Sequence, residues 1–421
     1  MSAVLASVSK RHAEHGTVPG ERTARAVQPA QLLRDDAEVL DAARRIAGLI
    51  AEGAAARDRD RILPARELDL VSGAGLWAMN VPRAHGGAGV SYATVAQVFA
   101  LLSAADASIG QIQQNHNSAV FWLSSIGTAA QKDFFLGEIL RGCRFGNANV
   151  DAATVPGVQG AQPTVIARTA HGYVLSGEKV YATGALFAHY VTVIGQNEAG
   201  EKTVAIIPVG TPGLTIEDDW QSFGQRTTAS GRVRLDRVEL PALCVLPIHR
   251  AYSEQPMGAV SQLSHVGIDL GIAQAALGDT VRFLRGHASI SQPEGAPRAV
   301  TDPLVIAQVG EIQTRLHAAE AMTLRAGLAV DAAIAVPDKA RRAAASLAVA
   351  EAKWLTSDIA LHASSKLFEL CGTRSAQHPH AFDRHWRNAR VHTLHDPVRH
   401  KLSVVGEHLL NGIGPESAGA L

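Results

Sequence analysis

The feature that most restricts this chain is a double change of period along its length. From Asp36 the apolar residues Leu40, Ala43, Ile46, Leu49 and Ile50 fall on one stripe of a 3.6-residue helix. Further helices are predicted over Ala65–Ala74, ended by the Gly73/Gly75 pair, and from Ser91 as N-cap toward Ala105. Thr128-Ala-Ala-Gln131 has capping-box spacing, and Gly142 closes the helix it opens. Between 143 and 250 the texture becomes β-branched or alternating, in Thr164–Ala170, Tyr173–Ser176, Tyr190–Gly195, Thr203–Val209 and Arg232–Leu240. His171-Gly172 and Asn197–Gly200 supply turns. Helical spacing returns in three long stretches near 258–288, 302–335 and 338–371, with Pro337 suited to a helix start and Gly372 to an end. A shorter helix follows Asp396-Pro397. The fold class is therefore α+β: helices, an antiparallel-looking β section, then a helical bundle. The expected divisions are a mobile tail over 1–28, a helical domain over 29–142, a β domain over 143–255, and a helical bundle over 256–421 with a His-rich tail segment.

Composition narrows the function classes. Lys+Arg 39 balances Asp+Glu 39, so no global charge draws nucleic acid or an anionic membrane. Hydrophobic residues at 47% against 19% charged supply a core and exclude disorder. The Ala-rich stretch 318–336 is interrupted by Glu320, Arg325 and Asp331, so no transmembrane helix is expected. The start, MSAVLASVSKRHAEHG, lacks an apolar signal core, and a cytoplasmic location is expected. Cys143, Cys244 and Cys371 are too scattered for a disulfide scaffold or a thiolate metal site.

Four segments carry candidate chemistry. Gly146-Asn147-Ala148-Asn149 lets a flat ligand approach the backbone, although alone it reads as a turn. In Ser176–His189, Thr183 and Gly184 interrupt a strand and place a hydroxyl beside free backbone groups; a bulged edge strand reads the same way. Asp218–Gly231 is a polar, Gly-rich loop that nevertheless carries Trp220 and Phe223. The fourth is the His-rich tail: His378, His380, His385, His392, His395, His400 and His408. On a helix His392 and His395 share a face. Zinc binding lacks a third ligand at defined spacing, whereas acid/base work and plain structural roles both remain open.

Together these segments resemble the acyl-CoA dehydrogenase superfamily, and more closely its flavin-dependent monooxygenase branch, the dibenzothiophene-monooxygenase-like and sulfur-acquisition proteins. The motifs are VPRAHGGAGVS at 81–91, FGNAN at 145–149, SGEKVYATGALFAH at 176–189, DDWQSFGQRTTASG at 218–231 and FDRHWRNARVHTLHDPVRHK at 382–401. The resemblance runs from Pro29 to Gly412. It implies a helical N-terminal domain, a central antiparallel β-barrel-like domain and a C-terminal four-helix bundle, assembled as a homotetramer with the flavin between β domain and bundle. Asn147 and Ala148 would lie near the flavin, Tyr181 and Thr183 at its ring edge, and Arg374 at its phosphate. His116, Trp220 and Phe223 are the expected substrate-pocket residues. His392 and His395 match the branch's HxxHDP pair, of which the second faces the reactive side.

Many acyl-CoA dehydrogenases end the segment aligned with Val391–Pro397 in Tyr-Glu-Gly, whose Glu removes the substrate α-proton. Here the chain reads Leu394-His395-Asp396-Pro397. The segment that clasps the adenosine half of FAD should fall near Arg285, and Arg285-Gly-His-Ala-Ser289 lacks it, which favours FMN over FAD. The branch often carries Arg followed by Pro-Trp there, and Ser289-Ile-Ser leaves one phosphate contact unassigned. The resemblance thus implies a two-component monooxygenase. A separate NAD(P)H:flavin reductase would supply reduced FMN, since neither a GxGxxG nicotinamide site nor a P-loop is present. Reduced FMN and O2 would form a C4a-hydroperoxide in a water-poor pocket, and oxygen would pass to a small organosulfur compound. His395 and His392 with Asn147 and Thr183 are the expected catalytic set, and no metal is expected. The alternatives are an FAD-dependent acyl-CoA dehydrogenase with Asp396 as base, and a flavin-free, non-catalytic member of the fold.

Overall fold

Asp35 accepts a hydrogen bond from Glu38 N and so caps helix α1 (Asp36–Ala51). The buried face of α1 is Val39, Ala42, Ala43, Ile46 and Ile50, while Leu49 points outward. The burial stripe is thus turned slightly from the one the apolar spacing predicts. These coordinates form a computed structural model that describes residues 23–156, 162–286, 299–396 and 398–415. Helices α2 (Ala54–Asp60) and α3 (Ala65–Gly73) follow, and then α4 (Tyr92–Ala105), with Ser91 as its N-cap. The Asp36 carboxylate accepts from Ser91 Oγ at 2.8 Å and Thr94 Oγ1 at 2.6 Å, which locks α1 to the start of α4. Thr128 and Gln131 form the expected capping box.

Helix α5 (Ala107–Ile126) is absent from the sequence expectations. Its polar run Gln111–Asn117 hides an apolar stripe, yet most of its side chains are buried. Tertiary packing on both sides overrides the weak local pattern.

The nine strands among the described residues are β1 (Phe145–Ala148), β2 (Val150–Asp151), β3 (Val165–Thr169), β4 (Gly172–Val180), β5 (Tyr190–Gln196), β6 (Lys202–Pro208), β7 (Leu214–Ile216), β8 (Val233–Leu240) and β9 (Val245–Leu246). They join one sheet in the order β7-β8-β4-β3-β5-β6-β9, with β1 on β5 and β2 on β4. Most pairs are antiparallel as expected, but β1 runs parallel to β5, with Asn147 beside Thr192. FGNAN therefore begins as a strand and not as a turn. Gly146 is needed there: a Cβ would sit 2.6 Å from Ala185 Cα, in the turn that packs against the strand. Strand β4 is central, so the edge-strand reading of Ser176–His189 does not hold; a register shift does fall between Leu175 and Gly177.

The C-terminal bundle comprises α6 (Met257–Gly286), α7 (Pro303–Ala335) and α8 (Lys339–Cys371), followed by α9 (Asp383–His392) and α10 (Arg399–Asn411). Helix α6 packs on both α8 and α4. Its approach to α4 is close, since a Cβ at Gly271 would lie 2.3 Å from Ala100 O. Residues 23–28 are not a loose tail: Ala24 N donates to Val209 O, and Ala26 O lies 3.1 Å from His189 Nε2. The rest of the expected tail, and Ser289, lie outside the described residues. No helix among the described residues is long and apolar enough to cross a membrane.

Candidate active site

Two rims lie at the join of sheet and bundle, linked through the loop 218–231. The first grows from the end of β4. Tyr181 takes a left-handed φ of 54°, which is costly for a residue with a Cβ and turns the chain out of the sheet. The turn is held by Ala182 N to Gly231 O at 3.0 Å, Gly184 N to Thr228 O at 3.3 Å and Asn147 N to Thr183 O at 3.1 Å. Thr183 Oγ1 lies 2.8 Å from Ser230 Oγ, itself 2.7 Å from Thr228 Oγ1. Thr183, Ser230 and Asn147 are all buried. Below them Lys179 Nζ ties β4 to β2 through Asp151 at 2.8 Å. The loop 218–231 closes over this rim: Trp220 Nε1 donates to Gln225 O at 2.9 Å, and the Trp220 ring meets Tyr181 edge-on at 6.2 Å. Tyr181 itself stays 48% exposed.

The second rim is built by α9. Asn388 Oδ1 accepts from Gln225 N at 2.7 Å, and Arg387 Nη1 donates to Phe223 O at 2.8 Å, so the loop is docked on this helix. Phe223 stacks on Trp386 and remains exposed. One helical turn beyond Asn388, on the same face, stands His392. Helix α9 ends there, so His392 and His395 do not share a helix face. They part company. His392 is buried, with Nδ1 2.5 Å from Asp269 Oδ1 and Nε2 2.9 Å from His265 Nδ1. His395 lies past the helix end with its side chain 52% exposed. Its ring stacks on His265 with centroids 4.3 Å apart, and its Nδ1 is 2.9 Å from Asp396 Oδ2.

Asp396 is poorly placed to act as a base. Burial pushes its carboxyl up, but the hydrogen bond and charge of His395, with Gln262 Nε2 at 2.5 Å and Lys401 nearby, bring it down to about 2. His265, His395 and Asp396 each bring a ligand atom within 4.8 Å of the others. The Asp396 oxygen is already engaged, however, and Lys401 and Lys353 bring positive charge to the same place. This is a hydrogen-bonded network more than a cation cage.

Several polar atoms here are buried without a protein partner: Asn147 Oδ1, Asn149 Oδ1, both ends of the Gln225 amide, and His265 Nε2. Buried polar groups cost free energy unless paired, so such a gathering is what a ligand with a hydrogen-bonding edge would satisfy. Arg374 sits partly exposed in the 3-10 turn after α8, with no carboxylate partner among the described residues. It can hold an anion.

Acyl-CoA dehydrogenase domains match this chain in order: the N-terminal domain over residues 34–143, the middle domain over 155–238 and the C-terminal domain over 263–399. Dibenzothiophene monooxygenase from Rhodococcus qingshengii is 30% identical over 375 residues, covering 85% of this chain and 90% of the relative. The chain belongs to the acyl-CoA dehydrogenase superfamily, in its flavin-dependent monooxygenase branch. A probable FMNH2-dependent monooxygenase, SfnC from Pseudomonas putida, is 28% identical over 394 residues, covering 89% of this chain and 95% of that one. FMN-bound TdsC from Paenibacillus sp. A11-2 superposes with a TM-score of 0.83 at 27% identity, over 91% of this chain and 100% of TdsC.

Against this acyl-CoA dehydrogenase fold, two of the expected site residues take structural places. Ala148 has its methyl in the core, so only its backbone is available to a ligand. His116, expected at the substrate pocket, is 1% exposed. Its Nδ1 accepts from Phe145 N at 3.1 Å and its Nε2 is 2.7 Å from Trp77 O, so the ring is a strut that sets the start of β1. Burial is the main reason its pKa falls to about 4, and it stays neutral. His116→Ala is expected to lower unfolding stability by about 3 kcal/mol, because it opens a cavity and strands two backbone groups. Chemical denaturation measures this; an unchanged midpoint would contradict the strut. Sequence reading missed His265, Gln262, Asp269, Lys353, Gln225 and Asn388. The available signal was a charge on an apolar helix stripe, as in Val266-Gly-Ile-Asp269-Leu-Gly-Ile.

Proposed function

We propose that this chain is a two-component FMN-dependent monooxygenase that oxygenates a small organosulfur compound of the sulfide, sulfoxide or thiophene type in sulfur acquisition. The carrying observation is that the 392–396 turn leaves the His395 imidazole half exposed while its carboxylate is tied up and strongly acidic. A carboxyl held near that value is a weak base, which counts against α-proton removal from an acyl-CoA. The monooxygenase relatives favour the same reading.

Bound reduced FMN supplies the two electrons with which dioxygen is split, one oxygen atom going to sulfur and the other leaving as water. The protein's part is to orient, dry and hydrogen-bond. Asn147, Tyr181, Thr183 and the backbone of Ala148 hold the ring edge, with the buried amides of Asn147 and Gln225 as its unpaired partners. Arg374 holds the phosphate. Trp220 and Phe223 shield the pocket from water, which otherwise diverts reduced oxygen to hydrogen peroxide. His395 donates through Nδ1 to Asp396, so Nε2 is the atom that exchanges a proton with the reacting oxygen, while His392 supports it indirectly through His265. FMN is preferred to FAD because the FMN-bound neighbour spans the whole fold. A separate NAD(P)H:flavin reductase in the cytoplasm supplies the reduced FMN, in line with the FMNH2-dependent relative. Exposed Leu304, Ile306, Leu402, Leu409 and Leu410 give a homotetramer apolar surface to bury.

The test supplies photoreduced FMN, isotopically labelled dioxygen and dibenzothiophene or a dialkyl sulfide to the purified protein. The expected product is a sulfoxide or sulfone carrying label from dioxygen. Hydrogen peroxide alone with every sulfur compound would overturn the reading. So would FAD that copurifies and bleaches anaerobically with an acyl-CoA.

A further inference from the structure

Beneath His395 the bundle buries three titratable side chains for which the proposed oxygenation has so far found no use: His265 and Asp269 of α6 and Lys353 of α8. Asp269 and Lys353 are both 0% exposed. Asp269 Oδ2 accepts from Lys353 Nζ at 2.6 Å and from Ser357 Oγ at 2.7 Å, and its Oδ1 faces His392 Nδ1. Burial pushes this carboxyl up, yet the Lys353 charge and His392 outweigh burial and leave it well below the usual carboxylate range. It is therefore an anion, and an acceptor only.

The direction of every following bond is then forced. His392 must carry its proton on Nδ1 to donate to Asp269. In a neutral ring that leaves His392 Nε2 as a lone pair, so His265 Nδ1 must be the donor of the 2.9 Å bond between them. His265 is left with a bare Nε2, which is buried and has no protein partner. We infer that His265 is a positioning residue of the oxygenation site: Lys353, Asp269 and His392 fix its tautomer so that Nε2 accepts a hydrogen bond from an O–H group held beside His395. The occupant is a water or a hydroxyl; no proton has to move. Burial first, then the neighbouring His395, His392, Lys353 and Lys401, holds His265 well below its ordinary value, so it stays neutral. Its stacking under His395 at 4.3 Å puts the acceptor against the residue assigned to the reacting oxygen.

This inference rests on the function proposed above, but its first test does not. Full-length protein labelled with 15N-histidine and free of flavin is read by long-range proton–nitrogen correlation between about pH 6 and pH 8. The expected result is one non-titrating imidazole with protonated Nδ1 and lone-pair Nε2, showing a scalar coupling across its Nδ1–H···Nε2 bond to a second ring. His265→Phe, which keeps the stacked ring, should remove that signal. If that variant does not fold, the coupling between the two rings makes the assignment alone. A His265 ring protonated on Nε2, or titrating in this range, overturns the inference. Asp269→Asn should reverse the tautomer, because a carboxamide can donate to His392 Nδ1. Product formed per dioxygen consumed should then fall about tenfold, roughly the worth of one buried hydrogen bond. An unchanged tautomer with unchanged coupling in a folded Asp269→Asn protein also overturns it. If the labelled histidines behave as expected but nothing is oxygenated, the proposed function fails and the tautomer relay stands.

Discussion

Lys353→Met is expected to lower unfolding stability by about 3–5 kcal/mol at pH 8, among the largest single-residue effects in the bundle. The methionine fills most of the volume, so little of the loss comes from packing. It comes from leaving Asp269 charged, fully buried and opposed only by Ser357 and a neutral His392. Comparison of two pH values sharpens the expectation. Burial and Lys353 are among the causes that hold His392 low, and Asp269 is the main one that raises it. Without Lys353, its folded pKa rises toward or above the unfolded value of about 6.5. A raised folded pKa adds stability that is fully present below the unfolded pKa and is lost as pH rises. The deficit should therefore be smaller at about pH 5.5 than at about pH 8, with protonated His392 standing in for the missing ammonium. Lys353→Met combined with Asp269→Leu should recover most of the loss, since neither charge is then buried alone. Urea unfolding of the three proteins decides this. A single-variant loss under about 1 kcal/mol at pH 8 would mean that water reaches Asp269.

His395→Ala is expected to reduce product formation from reduced FMN and dioxygen by about 10²–10³-fold, the usual range for one acid/base or oxyanion-binding group. Its effect on stability should be slight, because the side chain is half exposed and its hydrogen bond is to the neighbouring Asp396. Consumption of reduced FMN should continue, with electrons recovered as hydrogen peroxide. His395→Gln should restore part of the product, since it keeps a polar group at that place. Asp396→Asn sorts the readings apart. As an oxygenase the protein should lose little, because Asp396 only orients His395; as an acyl-CoA dehydrogenase it would lose its base and nearly all activity. Product at the wild-type rate from His395→Ala would remove that imidazole from the reaction.

The domain texture was legible because helical and strand periods are local properties of the chain. Ser91 and Thr128 cap where the spacing places them, and the long helices α6, α7 and α8 begin and end within a few residues of the predicted stretches. Helix α5 was not legible, because Gln111–Asn117 are polar yet buried by what packs around them. FGNAN read as a turn since Gly and Asn favour turns, whereas pairing to β5 makes it a strand. The bracing of β1 by His116 was not legible either, because both partners of its ring come from elements distant in sequence.

The order of elements, the family and the presence of imidazoles in the segment Val391–Pro397 were determined by the amino-acid sequence. Which imidazole is exposed, and which is buried against Asp269 and His265, was decided only by tertiary structure. His392 and His395 are three residues apart, but the partner that separates their roles, Asp269, is 123 residues away from His392. Spacing reports which side of an element a residue occupies. The direction of a hydrogen bond, and with it the tautomer of a ring, depends on charges that only folding brings into contact.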